Sequence, residues 1–355
     1  MKYINSDKFD HQQDEKIGVL ITNLGTPDAP TPKKLKTYLK EFLSDPRVVE
    51  FPRFLWWMIL NFIILQIRPK RSAHAYETVW TEEGSPLLTI TQAQQEKLQA
   101  QLSDYHVEFA MRYGNPSVSS KIQSMMESGV RKLLILPLYP QYCAATTAST
   151  FDAVAKDFTQ RRWIPELRFV NHYHDHPLYI QACAEQIQQF QQKNGEPDLL
   201  ILSYHGIPKR YLTNGDPYFC ECHKTSRLIA QALGLNENQY KTTFQSRFGR
   251  EEWLQPYTDE TMKSLPTDGV KSVQVFCPGF SADCLETIEE IAVENKHYFI
   301  DSGGEKFDYI PALNAEDNHI HALTEIAKTH LEGWQIQKED RAQQKSAAKK
   351  LGATS

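Results

Sequence analysis

A histidine at the end of one apolar run and a glutamate just past the end of a later one are the residues best suited to hold a metal or move protons in this 355-residue chain. The first is His205, in L-I-L-S-Y-H-G-I-P (200–208), where Gly206 and Pro208 fix the turn behind it. The second is Glu286, in F-C-P-G-F-S-A-D-C-L-E-T (276–287). There Pro278 and Gly279 break the run, Ser281 or Asp283 can cap the helix that follows, and Glu286 falls in its first turn. Imidazole suits iron, copper and zinc and accepts a proton near neutral pH, while a carboxylate adds charge and a route for protons. Alone, each has an ordinary explanation, a satisfied loop histidine and a carboxylate complementing a helix dipole. Their pairing across one crevice is what gives them weight.

Such a pair needs a frame. Strand-length apolar runs at 17–23, 107–113, 132–138, 167–172, 199–204, 242–247 and 272–276 alternate with amphipathic helical stretches at 31–43, 89–102, 118–128, 178–193, 219–233, 283–295 and 315–331. That alternation predicts an α/β fold of two similar Rossmann-like domains, each a parallel sheet flanked by helices. The halves repeat at their strand exits: L-I-T-N-L-G-T-P, F-A-M-R-Y-G and P-L-Y-P-Q-Y in the first answer L-I-L-S-Y-H-G-I-P, F-Q-S-R-F-G and F-C-P-G-F-S in the second. The predicted divisions are an extension (1–15), a first domain (16–192), a second carrying His205 and Glu286 (193–331), and a polar, mobile tail (332–355). Open parallel sheets bind ligands outside the carboxyl ends of their strands, where all these motifs sit.

Composition narrows the chemistry. A net charge of -5 argues against a nucleic-acid binder, because neutralising phosphates needs a basic face. The N-terminus has neither an apolar core nor the features of a transit peptide, so a cytoplasmic location is expected. The 6 cysteines are scattered and read as reduced thiols. There is no G-x-G-x-x-G after a strand, no P-loop, no G-x-S-x-G elbow and no H-E-x-x-H helix. The longest apolar segment, 51–67 (F-P-R-F-L-W-W-M-I-L-N-F-I-I-L-Q-I), is interrupted by polar residues and runs into R-P-K-R. It suits an interfacial helix or the lip of a pocket, with a core helix as the plain alternative.

Taken together, N-L-G-T-P, L-S-D-P-R-V-V, E-G-S-P-L, M-R-Y-G-N-P, P-L-Y-P-Q-Y, S-Y-H-G-I-P, G-D-P-Y, T-F-Q-S-R-F-G with W-L-Q-P-Y-T-D-E, and F-S-A-D-C-L-E-T make the chain closely resemble the bacterial, protoporphyrin-type ferrochelatases over 16–331. The resemblance implies insertion of ferrous iron into protoporphyrin IX to form protohaem with release of two protons, the last step of haem synthesis. It makes iron a substrate and implies no cofactor. By the same resemblance His205 and Glu286 are the catalytic and metal-binding pair, Arg112, Tyr113, Trp253 and Phe280 contact the macrocycle, and Asp283, Glu289 and Glu290 relay protons. The 51–67 segment becomes a hydrophobic lip, implying peripheral contact with the inner face of the cytoplasmic membrane.

Some relatives hold a two-iron two-sulfur cluster through cysteines of a C-terminal extension; the tail here has none, so a cluster is not expected. Cys284 stands where some relatives carry a second histidine. Two rival readings follow from the same crevice. One is a chelatase for another tetrapyrrole such as coproporphyrin, and the other is a non-catalytic haem or metal carrier, against which the retention of both His205 and Glu286 argues.

Overall fold

The computed structural model describes residues 3, 13–249, 251–336 and 341–353. Among these residues, eight strands form two four-stranded parallel sheets. The first holds β1 (Lys16–Thr26), β2 (His106–Gly114), β3 (Val130–Pro137) and β4 (Glu166–Phe169) in the order β2-β1-β3-β4. The second holds β5 (Leu199–His205), β6 (Tyr240–Gln245), β7 (Ser272–Phe276) and β8 (Lys306–Tyr309) in the order β6-β5-β7-β8. The two orders are the same, so the repeat visible at the strand exits is a repeat of topology.

Strand alternation divides the packing. Ile17, Val19 and Ile21 of β1 and Leu200, Leu202 and Tyr204 of β5 point into one core shared by the two halves. Leu20 faces the opposite way, onto Ile122 and Met125 of helix Val118–Glu127, and Ile201 faces Met262, Ile291 and Phe299. Helix Pro177–Asn194 packs on helix Tyr218–Leu233 of the second half, while helix Asp317–Leu331 packs on helix Pro86–Gln101 and β3 of the first. The division expected near 192 therefore separates strand sets but not cores, because each half ends on a helix that lies against the other.

Several elements differ from expectation, among them the short helices Lys209–Thr213 and Thr258–Ser264. The edge strand β8 was not foreseen: two of the four residues of K-F-D-Y are charged, so no apolar run marks it. Helix Ser149–Phe158 was likewise unforeseen, since it continues without a cap from a π-helical turn, Ala144–Ala148. The tail expected to be mobile begins as a docked strap. Trp334 is buried, its indole N–H donates to Glu166 at 2.7 Å, and the Arg168 guanidinium lies 4.3 Å from its ring centre. Beyond the undescribed residues 337–340, Arg341–Lys350 is a helix with no buried residue.

The apolar segment lies in a continuous helical run made of Arg53–Ile59, a π-helical turn Leu60–Ile64, and Leu65–Val79. It is not a core helix. Only Leu60 and Leu65 are buried within 51–67, whereas Phe54 (72%), Phe62 (68%), Ile67 (61%) and Trp57 (53%) stand exposed. Trp56 turns inward and donates to the Leu43 carbonyl at 2.6 Å. Among the described residues, no helix is long and apolar enough to cross a membrane.

Candidate active site

The carboxyl ends of the two sheets meet across a crevice stitched by bonds between the halves. In the loop after β3, Gln141 donates to Thr225 at 3.0 Å, the Tyr142 N–H to Glu221 at 2.6 Å and the Ala144 N–H to Asp216 at 2.8 Å. Gly279, after β7, closes on the same loop: a Cβ there would lie 3.3 Å from the Tyr204 ring and 3.5 Å from Gln141 Oε1. On the other flank, helix Leu65–Val79 packs against the π-helical segment Glu286–Asn295. Gly25, at the β1 exit, has φ +108°, and a Cβ would fall 1.8 Å from the Tyr113 carbonyl oxygen. Only glycine fits where these strand ends approach so closely.

His205 is the last residue of β5 and is half-buried. Its Nδ1 lies 2.6 Å from the Gly206 carbonyl oxygen. A carbonyl can only accept, so Nδ1 carries the proton in the neutral ring and Nε2 is the basic nitrogen, free in chemistry to take a proton or ligate a metal. Gly206 in turn donates its N–H to the Gln245 carbonyl at 2.7 Å, and Trp253 packs against it: a Cβ on Gly206 would be 3.2 Å from the indole. Glu286 is half-buried at the start of the π-helical segment, and its backbone carbonyl accepts from the Gln245 side chain at 2.9 Å. Gln245, at the end of β6, thus touches the mountings of both members of the pair.

The other acidic residues divide into two kinds. Asp283 is buried, and its carboxylate accepts from Tyr309 (2.5 Å), Thr287 (3.0 Å), Asn314 Nδ2 (2.7 Å) and the Ala312 N–H (3.3 Å). Glu289 and Glu290 lie along the π-helical segment. Burial, with the negative charges of Glu286 and Glu294, pushes the Glu290 carboxyl up to about 7, although its bonds to Ser246 oppose the shift. Burial, then Glu294 and Glu286, raises Glu289 as well. Tyr76 and Tyr38 reach the same region from the first half, and their phenols are raised by burial and by the field of other groups that include Glu286. π-Helical turns concentrate at functional sites, and the three among the described residues lie in the exposed apolar segment, in the loop after β3 and in the acidic segment.

Arg112 and Tyr113 close a polar knot. Arg112 Nη2 pairs with Asp45 at 2.5 Å and its Nε donates to Ser149 O (2.9 Å) and Oγ (2.7 Å), while the Tyr113 hydroxyl donates to Asp45 at 2.8 Å. Tyr113 is only 1% exposed, so its ring packs against Phe42 and not on an open wall. Trp253, at 5%, braces the His205 turn from behind, and half-buried Phe280 sits between clusters that include Leu87, Ala282 and Cys284. A cavity of about 470 Å³ lined by Arg247, Phe248, Trp253 and Tyr257 includes neither His205 nor Glu286. Among the described residues, no group of three or more His, Cys, Asp or Glu side chains is arranged to hold a metal ion.

Sequence reasoning missed Gln245 and Asp45. Gln245 lies inside the quoted F-Q-S-R-F-G motif, but its partner is a backbone carbonyl, which leaves no mark on the sequence.

Two parallel four-stranded sheets with chemistry at their facing strand ends define the two-domain chelatase fold. Solved structures share it: a sirohydrochlorin chelatase from Bacillus subtilis subspecies spizizenii (TM-score 0.52, 10% identity, 90% of this chain and 97% of that one) and CbiX, described as the terminal enzyme of sirohaem biosynthesis in denitrifying bacteria (0.51, 13%, 88% and 98%). At those identities the likeness speaks for fold alone. The ferrochelatase family profile matches residues 16–331. The chain is 63% identical to the ferrochelatase of Idiomarina loihiensis over 99% of its length and 98% of that protein, and 61% identical to that of Marinobacter nauticus over 95% and 92%. Ferrochelatase 2 of Shewanella oneidensis is 54% identical over 90% and 99%. The chain belongs to the ferrochelatase family, and it is an enzyme, a metal chelatase of haem synthesis.

Proposed function

We propose that this ferrochelatase inserts ferrous iron into protoporphyrin IX, with His205 and Glu286 as the working pair. The observation that carries the reading is the hydrogen bond from His205 Nδ1 to the Gly206 carbonyl at 2.6 Å, which leaves Nε2 as a fixed basic nitrogen at a strand end. Metal insertion needs two things at the ring centre: a base for the two pyrrole protons and donor atoms that replace water around the iron. A neutral imidazole can do either near neutral pH, and the Glu286 carboxylate supplies the opposing charge.

Protons leaving the ring pass to the acidic segment. Glu290, poised near 7, and the raised Glu289 are suited to take and release them at cytoplasmic pH. Asp283 belongs to the support: its four donors hold the start of the segment that carries Glu286. At the macrocycle edge, Arg112 has two of its nitrogens committed to Asp45 and Ser149, so a propionate would meet Nη1; Tyr113 and Trp253 support the walls from behind, and Phe280 is the aromatic nearest to being a wall itself. The exposed lip residues favour entry of an apolar ring from a membrane surface and a peripheral location on the inner face of the cytoplasmic membrane.

The test is anaerobic turnover with ferrous iron and protoporphyrin IX, read by the absorption change to haem, for the wild type, His205→Ala and Glu286→Gln. Multiple turnovers in the wild type with loss of at least about 100-fold in each variant are expected. A wild type preferring coproporphyrin would reassign the substrate, and stoichiometric binding without turnover would make it a carrier.

A further inference from the structure

We infer that Gln245 is the positioning residue that sets His205 against Glu286, a role that rests on the pair proposed above. Its backbone carbonyl and both ends of its side-chain amide are all bonded, and it is 3% exposed. The backbone carbonyl accepts from Gly206 N–H at 2.7 Å, immediately behind the imidazole. The side-chain NH2 donates to the Glu286 carbonyl at 2.9 Å, and Oε1 accepts from the Ser203 hydroxyl at 2.8 Å and the Cys277 thiol at 3.6 Å.

The orientation of this amide is determined by chemistry. The Glu286 carbonyl can only accept, so the NH2 must face it, and Oε1 must then face Ser203. Ser203 lies on β5 two residues before His205, directly opposite Thr243 of β6, and His205 itself is paired in register with Gln245. One buried side chain therefore connects the strand that ends in the histidine, the strand beside it and the first residue of the π-helical segment. A buried amide with both ends bonded has one low-energy pose, so the spacing of the backbones that carry the imidazole and the carboxylate is set by the protein before substrate arrives.

The test is a double-mutant cycle between Gln245→Met, which keeps the length but neither polar atom, and Glu286→Gln, read as kcat and KM for ferrous iron and for protoporphyrin. Misplacement by about 1 Å costs on the order of 100-fold, so Gln245→Met is expected to lose kcat by that order with KM for protoporphyrin changed less than about twofold. In the Glu286→Gln background the same substitution should cost less than about threefold, because the group it positions is already gone. Should Gln245→Met not fold, Ser203→Ala takes its place in the cycle, with Ser203→Thr, which keeps the hydroxyl, restoring kcat. An equal loss from Gln245→Met in both backgrounds overturns the inference while leaving the pair intact. Full activity of Glu286→Gln overturns the pair itself and the inference with it.

Discussion

The Glu290 carboxylate takes both the backbone N–H of Ser246, at 2.7 Å, and the Ser246 hydroxyl. Ser246 has φ +67°, a left-handed conformation that a non-glycine residue holds only when its surroundings impose it. An acidic side chain of the π-helical segment therefore also fixes the loop that follows β6.

That double role predicts a pH signature. Burial raises the folded pKa of Glu290 to about 7 from the model-compound value of 4.5. Between those values the unfolded chain has lost the proton and the folded chain still holds it, so stability falls as pH rises from about 4.5 to 7. Glu290→Gln keeps an acceptor and a donor for Ser246 but never ionises. Chemical denaturation should find it more stable than the wild type at pH 8, by up to about 3 kcal/mol, with the difference vanishing near pH 4.5. A constant difference across that range would mean that Glu290 does not titrate as described.

Asp283 gives the opposite expectation. Four donors converge on its carboxylate, from Tyr309, Thr287, Asn314 and the Ala312 backbone. Asp283→Ala strands them in the interior and should cost about 3 kcal/mol or more. Asp283→Asn, which still accepts through one oxygen, should cost less. Thermal melts of the three proteins decide this; equal melting temperatures would deny Asp283 its structural load.

How far the sequence carried depends on what each residue bonds to. His205 and seven of the strands were legible as apolar runs, several of which end at Gly or Pro. Strand β8 was not, because two of the four residues of K-F-D-Y are charged and no apolar run marks it. His205 and the acidic segment stood out as two strand exits, but the Gln245 bonds to the Gly206 N–H and the Glu286 carbonyl were not legible, since backbone groups carry no side-chain code. Tyr113 looked like a wall residue by motif, and its hydroxyl instead found Asp45, 68 positions earlier, an ion-pair site that only the folded chain assembles.

The lip makes a prediction about surfaces. Phe54, Trp57 and Phe62 are more than half exposed, and Trp57 and Phe62 meet edge to face at 5.8 Å, so the patch is contiguous. Replacing all three by Ser removes apolar area without emptying the core, and should weaken binding to anionic vesicles by at least about tenfold while leaving the melting temperature within a few degrees. Trp56 is unsuited to this test, since its indole N–H is bonded to the Leu43 carbonyl. Vesicle flotation of wild type and triple variant reads the result; equal partitioning would remove the lip as a membrane contact.

The Arg112–Asp45 pair is both buried and shared, which sets what its removal should do. Burial pushes the Asp45 carboxyl up, but the bonds from Ser149, the Arg47 N–H and Tyr113, with the Arg112 charge, outweigh it and hold the group below its usual range. The lowered folded pKa means that the contribution to stability is complete above about pH 4 and is lost as pH falls through the folded value. Arg112→Met leaves a carboxylate whose side chain is 5% exposed without its counter-charge, at a cost of about 3 kcal/mol or more at pH 7. Once pH has fallen through the lowered folded value, the Asp45 carboxyl is protonated in both proteins and the two should converge. Urea titrations at pH 7 and at the lowest pH at which both proteins stay folded measure that convergence. If the loss is the same at both, Arg112 contributes by stacking its guanidinium on the Tyr113 ring, whose centre lies 4.3 Å from the guanidinium carbon, and not by pairing with Asp45.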